Sequence, residues 1–127
     1  MSKKLAMVFG VVFVLVGLLG FFTNPIVGAS GFFVTDVLHN IVHLLVGVLL
    51  LVASSKGSSA SSKALKVFGV VYLILALDGF FQPNMLLGLV TANSADTWLH
   101  LVLGVVLLFA GFSGGKSAMM MPSNPTM

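Results

Sequence analysis

A chain of 127 residues has room for one domain. At 58% hydrophobic and 7% charged it has too few charges to cover a water-soluble surface, so lipid is its natural solvent. The absence of cysteine excludes disulfides, thiolate metal sites and thiol–quinone redox chemistry, and the net charge of +3, carried by scattered lysines without arginine, excludes a nucleic-acid surface.

Taken in chain order, the apolar runs predict four transmembrane helices. The first run, Leu5 to Phe22, follows Lys3 and Lys4 and predicts a span over about 5–22. Asn24-Pro25 stops it, because proline restricts its predecessor and cannot continue a helix. The second span, over about 37–53, is apolar apart from His39, Asn40 and His43, with Thr35 as its expected N-cap and Asp36 in the first turn. Ser54 to Ser62 reads as a flexible polar linker. The third span, over about 66–82, is broken by Asp78 and stopped by Gln82-Pro83-Asn84. The fourth, over about 97–113, carries His100, with Ser94 as the expected N-cap and Asp96 in the first turn. Each apolar run is about 15–18 residues, or about 22–27 Å of helix. Flanking residues or local thinning must complete each crossing. Residues 1–113 thus form one membrane domain. Residues 114–127, with Gly, Ser, Pro and Met, read as a disordered cytoplasmic tail.

Orientation follows from lysine. Lys3, Lys4, Lys56, Lys63, Lys66 and Lys116 all fall on one side of an alternating four-span chain, and the positive-inside rule makes that side cytoplasmic. Both termini are then expected in the cytoplasm, with Asp36 and Asp96 outside. Residues 1–29 also resemble a secretory signal peptide, with Val27-Gly28-Ala29 as a cleavage site. An internal repeat argues against that reading. Val8-Phe9-Gly10-Val11-Val12 recurs as Val67-Phe68-Gly69-Val70-Val71, and Gly20-Phe21-Phe22 as Gly79-Phe80-Phe81. His43-Leu44 and Gly47-Val48 recur as His100-Leu101 and Gly104-Val105. The first span is therefore the counterpart of an internal one. A two-span unit copied in tandem makes parallel repeats about an axis along the membrane normal. Gly10, Gly17 and Gly20 share one sector of the first span, matched by Gly69, Ala76 and Gly79 on the third. With Gly47 and Gly104 they are the expected helix-packing residues, since small side chains let backbones approach in lipid.

One polar cluster stands out: His39, Asn40, His43, Asp78, Asp96 and His100, all in the outer half of the membrane or at its edge. His39, His43 and Gly47 form a stripe at every fourth residue, as do Asp96, His100 and Gly104. Three readings stand. The histidines are neutral hydrogen-bonding groups at helix contacts, with the aspartates at helix N-termini. Or the three histidines and a carboxylate hold a metal ion, or histidine pairs hold haem axially. Or histidine and Asp78 couple to protons or ions, which four helices accommodate only in a homo-oligomer or with a membrane protein partner. Asp78 replaces Leu19 in the duplication and lies about 180° from Gly69 around the helix. No nucleophile motif, phosphate loop or dinucleotide fingerprint occurs, so no catalytic residue is expected and the chain reads as no enzyme.

The stretch Asn40-Ile41-Val42-His43-Leu44-Leu45-Val46-Gly47 resembles the Asn-x-x-His-x-x-x-Gly signature of small bacterial membrane proteins, the domain-of-unknown-function family numbered four-three-eight-three. Asn93, Asp96, Leu99, His100 and Gly104 follow the same pattern in the second half. The resemblance runs from Leu5 to Gly111 and implies four transmembrane helices in a bacterial plasma membrane, with no activity attached. The expectation is an all-α integral membrane protein, up-down-up-down, from a duplicated helical hairpin. Its expected role is that of a non-enzymatic structural or assembly component without a bound cofactor. The alternative is a small proton- or metal-linked transporter or cofactor-binding membrane protein.

Overall fold

The computed structural model describes residues 1–119. It contains four long helices: α1 (Ser2–Leu19), α2 (Val37–Lys56), α3 (Ser58–Phe81) and α4 (Ser94–Met119). All four carry stretches long and apolar enough to cross a membrane, that of α4 being Ser94–Ser113. The protein is an all-α, multi-pass membrane protein. Two small two-residue ladders punctuate the connections. In the first, β1 (Val27–Gly28) pairs in parallel with β2 (Phe33–Val34). In the second, β3 (Met85–Leu86) pairs antiparallel with β4 (Val90–Thr91).

Several boundaries differ from the sequence reading. Helix α1 ends at Leu19 rather than at 22, because Asn24 folds back and its Nδ2 donates to the Leu19 carbonyl at 2.9 Å. The segment Ser54–Ser62, expected to be a flexible linker, is helix on both sides of the single residue Gly57. Its serines do not loosen the chain. The Ser61 hydroxyl donates to the Gly57 carbonyl at 2.7 Å, and that of Ser62 donates to Gly111 at 2.7 Å across a helix contact. Gly57 itself has φ 114°, a conformation open to glycine and strained for any residue with a Cβ. Helix α4 continues to Met119, past the expected end at 113, so the first part of the supposed tail is helical. Residues 120–127 of that tail lie outside the described residues.

Helix α1 packs along α2, and α3 along α4, with the two pairs side by side. Each pair crosses where two glycines meet. A Cβ built on Gly47 would stand 2.7 Å from the Val14 nitrogen and 2.8 Å from the Gly10 carbonyl. One built on Gly69 would stand 2.8 Å from the Leu108 nitrogen and 3.1 Å from the Gly104 carbonyl. Backbones approach this closely only without side chains between them, and the gain is dispersion contact that lipid cannot supply. The shared core contains Phe13, Val46, Leu50, Leu65, Tyr72 and Leu107. The outward faces remain apolar: Phe81, Phe109 and Phe22 are 80, 75 and 69% exposed. A water-soluble monomer does not carry such a surface, whereas a lipid-facing one does.

The two ends of the bundle are tied differently. At one end the Ser2 hydroxyl donates to the Ser58 carbonyl, and that of Ser54 to the Lys3 carbonyl. At the other, the α1–α2 and α3–α4 connections bond to each other. The Asn93 Nδ2 donates to the Phe32 carbonyl at 2.8 Å, and the Thr91 N–H to Asp36 Oδ2 at 2.9 Å. This second end holds the polar cluster.

Candidate metal centre

The site begins with how α2 starts. Asp36, rather than Thr35, is the N-cap: its backbone is extended, and its Oδ1 accepts the His39 N–H at 2.8 Å. Its other oxygen accepts the Thr91 N–H. Burial pushes the Asp36 carboxyl up, but the two donated N–H bonds outweigh that and hold it below the ordinary carboxylate range. The Thr35 hydroxyl instead donates to Asn40 Oδ1 at 2.7 Å, so Asn40 is a buried structural group. His39 and His43 then follow on one face of α2, with ring centroids 4.6 Å apart.

The start of α4 is built on Asn93 rather than Ser94. Asn93 Oδ1 accepts the Asp96 N–H at 3.1 Å, and Asp96 Oδ2 accepts the Asn93 N–H at 2.9 Å. This reciprocal pair is a capping box with an amide in place of the usual hydroxyl. It occupies the Asp96 carboxylate, which does not join the histidines. One turn further, His100 points into the bundle against the pair on α2. Its ring lies 5.8 Å from that of His39 and 6.5 Å from that of His43.

Asp78 lies elsewhere. Its Oδ1 accepts from Gln82 Nε2 at 3.0 Å, and its Oδ2 from the Leu87 N–H at 2.7 Å, so it anchors the β3–β4 hairpin. Of the six polar residues singled out in the sequence, three converge: His39, His43 and His100.

These three are 2, 5 and 1% exposed. One ring nitrogen from each lies within 4.8 Å of the others. His39 Nδ1 stands 2.9 Å from the Thr91 carbonyl and must carry the proton to bond to it. Its Nε2 is then a bare lone pair, and it is buried without a partner. His43 Nδ1 and His100 Nδ1 are also buried and unpartnered. Such groups are rare in folded proteins, and a water or an ion satisfies them where no protein group does. A buried cluster of three histidines able to coordinate a metal ion is therefore present. Imidazole suits zinc, copper, iron and nickel. Three imidazoles leave a fourth position open, as in metal sites that admit an exogenous ligand. Donors around a four-coordinate ion with bonds of about 2.0–2.1 Å stand about 3.3–3.5 Å apart. The ring nitrogens thus have to draw together by up to about 1.5 Å to close on an ion.

The cluster forms part of the wall of a cavity of about 300 Å³. Its other walls are apolar, among them Val42, Leu75, Leu86 and Val90, with Tyr72 as the remaining polar side chain. Tyr72 and Thr91 are site residues that the sequence reading missed. A signal for Tyr72 was available: the register that carries Gly10 onto Gly69 carries Phe13 onto Tyr72. Phe13 packs on His43 at 5.9 Å and Tyr72 on His100 at 5.2 Å, and the two rings meet at 5.4 Å. Thr91 acts through its backbone, which no residue type betrays.

No curated protein and no solved structure matches the chain. A family model matches residues 3–113, nearly all of the four-helix region. The chain therefore belongs to the family described as Domain of unknown function (DUF4383).

Proposed function

We propose that this is a non-enzymatic membrane protein that holds one transition-metal ion between His39, His43 and His100. The observation that carries this reading is the convergence of ring nitrogens from three buried histidines within 4.8 Å, in a cluster where each ring keeps a buried unpartnered nitrogen. The plain packing reading needs each imidazole to find a hydrogen-bond partner in the protein, and among the described residues only His39 has one. The proton-coupling reading needs Asp78 beside the histidines, and Asp78 is engaged by Gln82 and Leu87. The bundle is up-down-up-down and arose by duplication of one hairpin. Support comes from contacts that recur in register: Gly10 against Leu51 and Gly69 against Leu108, Gly47 against Val14 and Gly104 against Leu73. With the lysines inside, both termini are cytoplasmic and the metal site lies in the outer half of a bacterial plasma membrane.

Metal analysis of untagged protein in detergent, with a visible absorption scan, tests the reading. The expected result is about one equivalent of zinc, copper, nickel or iron per chain, lost in His43→Ala and His100→Gln. A haem Soret band would assign the histidines to axial ligation instead. Protein that arrives metal-free and takes up no added zinc, copper or cobalt overturns the proposal.

A further inference from the structure

We infer that the cavity beside the histidines binds the ring of a lipid-soluble phenol, its hydroxyl directed at the cluster. A leucine- and isoleucine-lined cavity of about 150 Å³ is known to hold one benzene. The cavity here, about 300 Å³, takes a substituted single ring but no long chain, so an alkyl tail must leave through the rim. That rim carries Leu38, Leu87 and Leu89, which are 46, 56 and 69% exposed, so a tail meets apolar surface on the way out. No charged side chain lines the cavity, which disfavours an ionic head. Four of its walls are rings: His39, His43, Tyr72 and His100. Aromatic rings favour edge and offset contact with another aromatic. The histidine rings in the wall supply the polar end. A phenolic O–H donates to an unprotonated imidazole nitrogen, and where a metal is bound the oxygen would take its fourth position instead. The inference therefore holds for metal-free and metal-loaded protein alike.

Calorimetric titration of protein in nanodiscs with para-octylphenol, referenced to empty nanodiscs, tests it. The expected result is saturable binding of about one ligand per chain, with octylbenzene and octanoic acid at least about tenfold weaker. Leu75→Trp fills the cavity from a wall residue that is not one of the histidines, and is expected to abolish phenol binding while metal uptake stays as in the parent. Should Leu75→Trp not fold, Val42→Phe makes the same test. Absence of saturable phenol binding, equal binding of octylbenzene or octanoic acid, or undiminished binding by a folded, cavity-filled variant overturns the inference. Metal uptake measured on the same samples shows separately whether the metal reading stands.

Discussion

At the scale of single residues, Asp36 does three things with two oxygens. It caps α2, fixes the backbone of His39, and holds the Thr91 strand whose carbonyl orients the His39 ring. Partners that orient a metal-binding histidine typically change affinity 10–100-fold when lost. Asp36→Ala is accordingly expected to weaken metal binding by about 10–100-fold, read by competition with a chromophoric chelator. It also removes an N-cap, which costs about 0.5–2 kcal/mol of stability. Acid should act in the same place. The folded carboxyl ionises below its ordinary value. Its stabilising effect is therefore complete above the unfolded value of about 3.9 and is lost as pH falls through the lower folded one. The Thr91 amide resonance, followed against pH, should shift only below the ordinary carboxylate range. A shift at or above that range counts against the tie. The choice of cap was legible, since Asp outranks Thr as an N-cap although the sequence reading took Thr35. The tie of its second oxygen to a strand 55 residues away was not.

At the scale of elements, the glycines divide into two physical kinds. Gly47 and Gly104 are crossing points, where a methyl group meets the neighbouring backbone as well as a side chain. Gly47→Ala and Gly104→Ala should each cost about 1–3 kcal/mol through overpacking, measured as reduced midpoint in a thermal or detergent-denaturation series. Gly57 has open space around it, and its constraint is conformational alone. Gly57→Ala should destabilise by about 1–3 kcal/mol although its methyl group touches nothing. A flexible linker would tolerate that change without effect. The linker expectation failed for a definite reason. Ser54, Ser61 and Ser62 carry a loop-forming composition, yet each hydroxyl bonds to a carbonyl of a neighbouring helix. Composition cannot tell a serine that competes with the helix from one that stitches two helices together.

At the scale of the whole molecule, the apolar helices were readable because period and composition are one-dimensional properties, and membrane crossing asks for little else. The histidine trio was half readable. The spacing of His39 and His43 places both on one face of α2, but the depth at which His100 meets them depends on how the two helix pairs dock. Asp96 shows the same limit from the other side. It sits one turn from His100 and so shares its stripe, but the cap of α4 takes up its carboxylate. The orientation proposed above is open to direct test, since the chain has no native cysteine to interfere. Cysteines introduced at Phe32 and at Ser55 should react from opposite sides of sealed cells with an impermeant maleimide. Labelling of Phe32→Cys from outside and protection of Ser55→Cys are the expected outcome, and the reverse pattern inverts the topology.

The bond between His39 and the carbonyl of Thr91 spans 52 positions of sequence. During synthesis, the first hairpin therefore enters the bilayer with two imidazoles and nothing to orient them. His100 follows only when the last helix is inserted. A chain ending before β4 lacks both the Thr91 carbonyl and His100. For the metal-binding function proposed above, this means that the three histidines come together only in a chain whose last helix is in place.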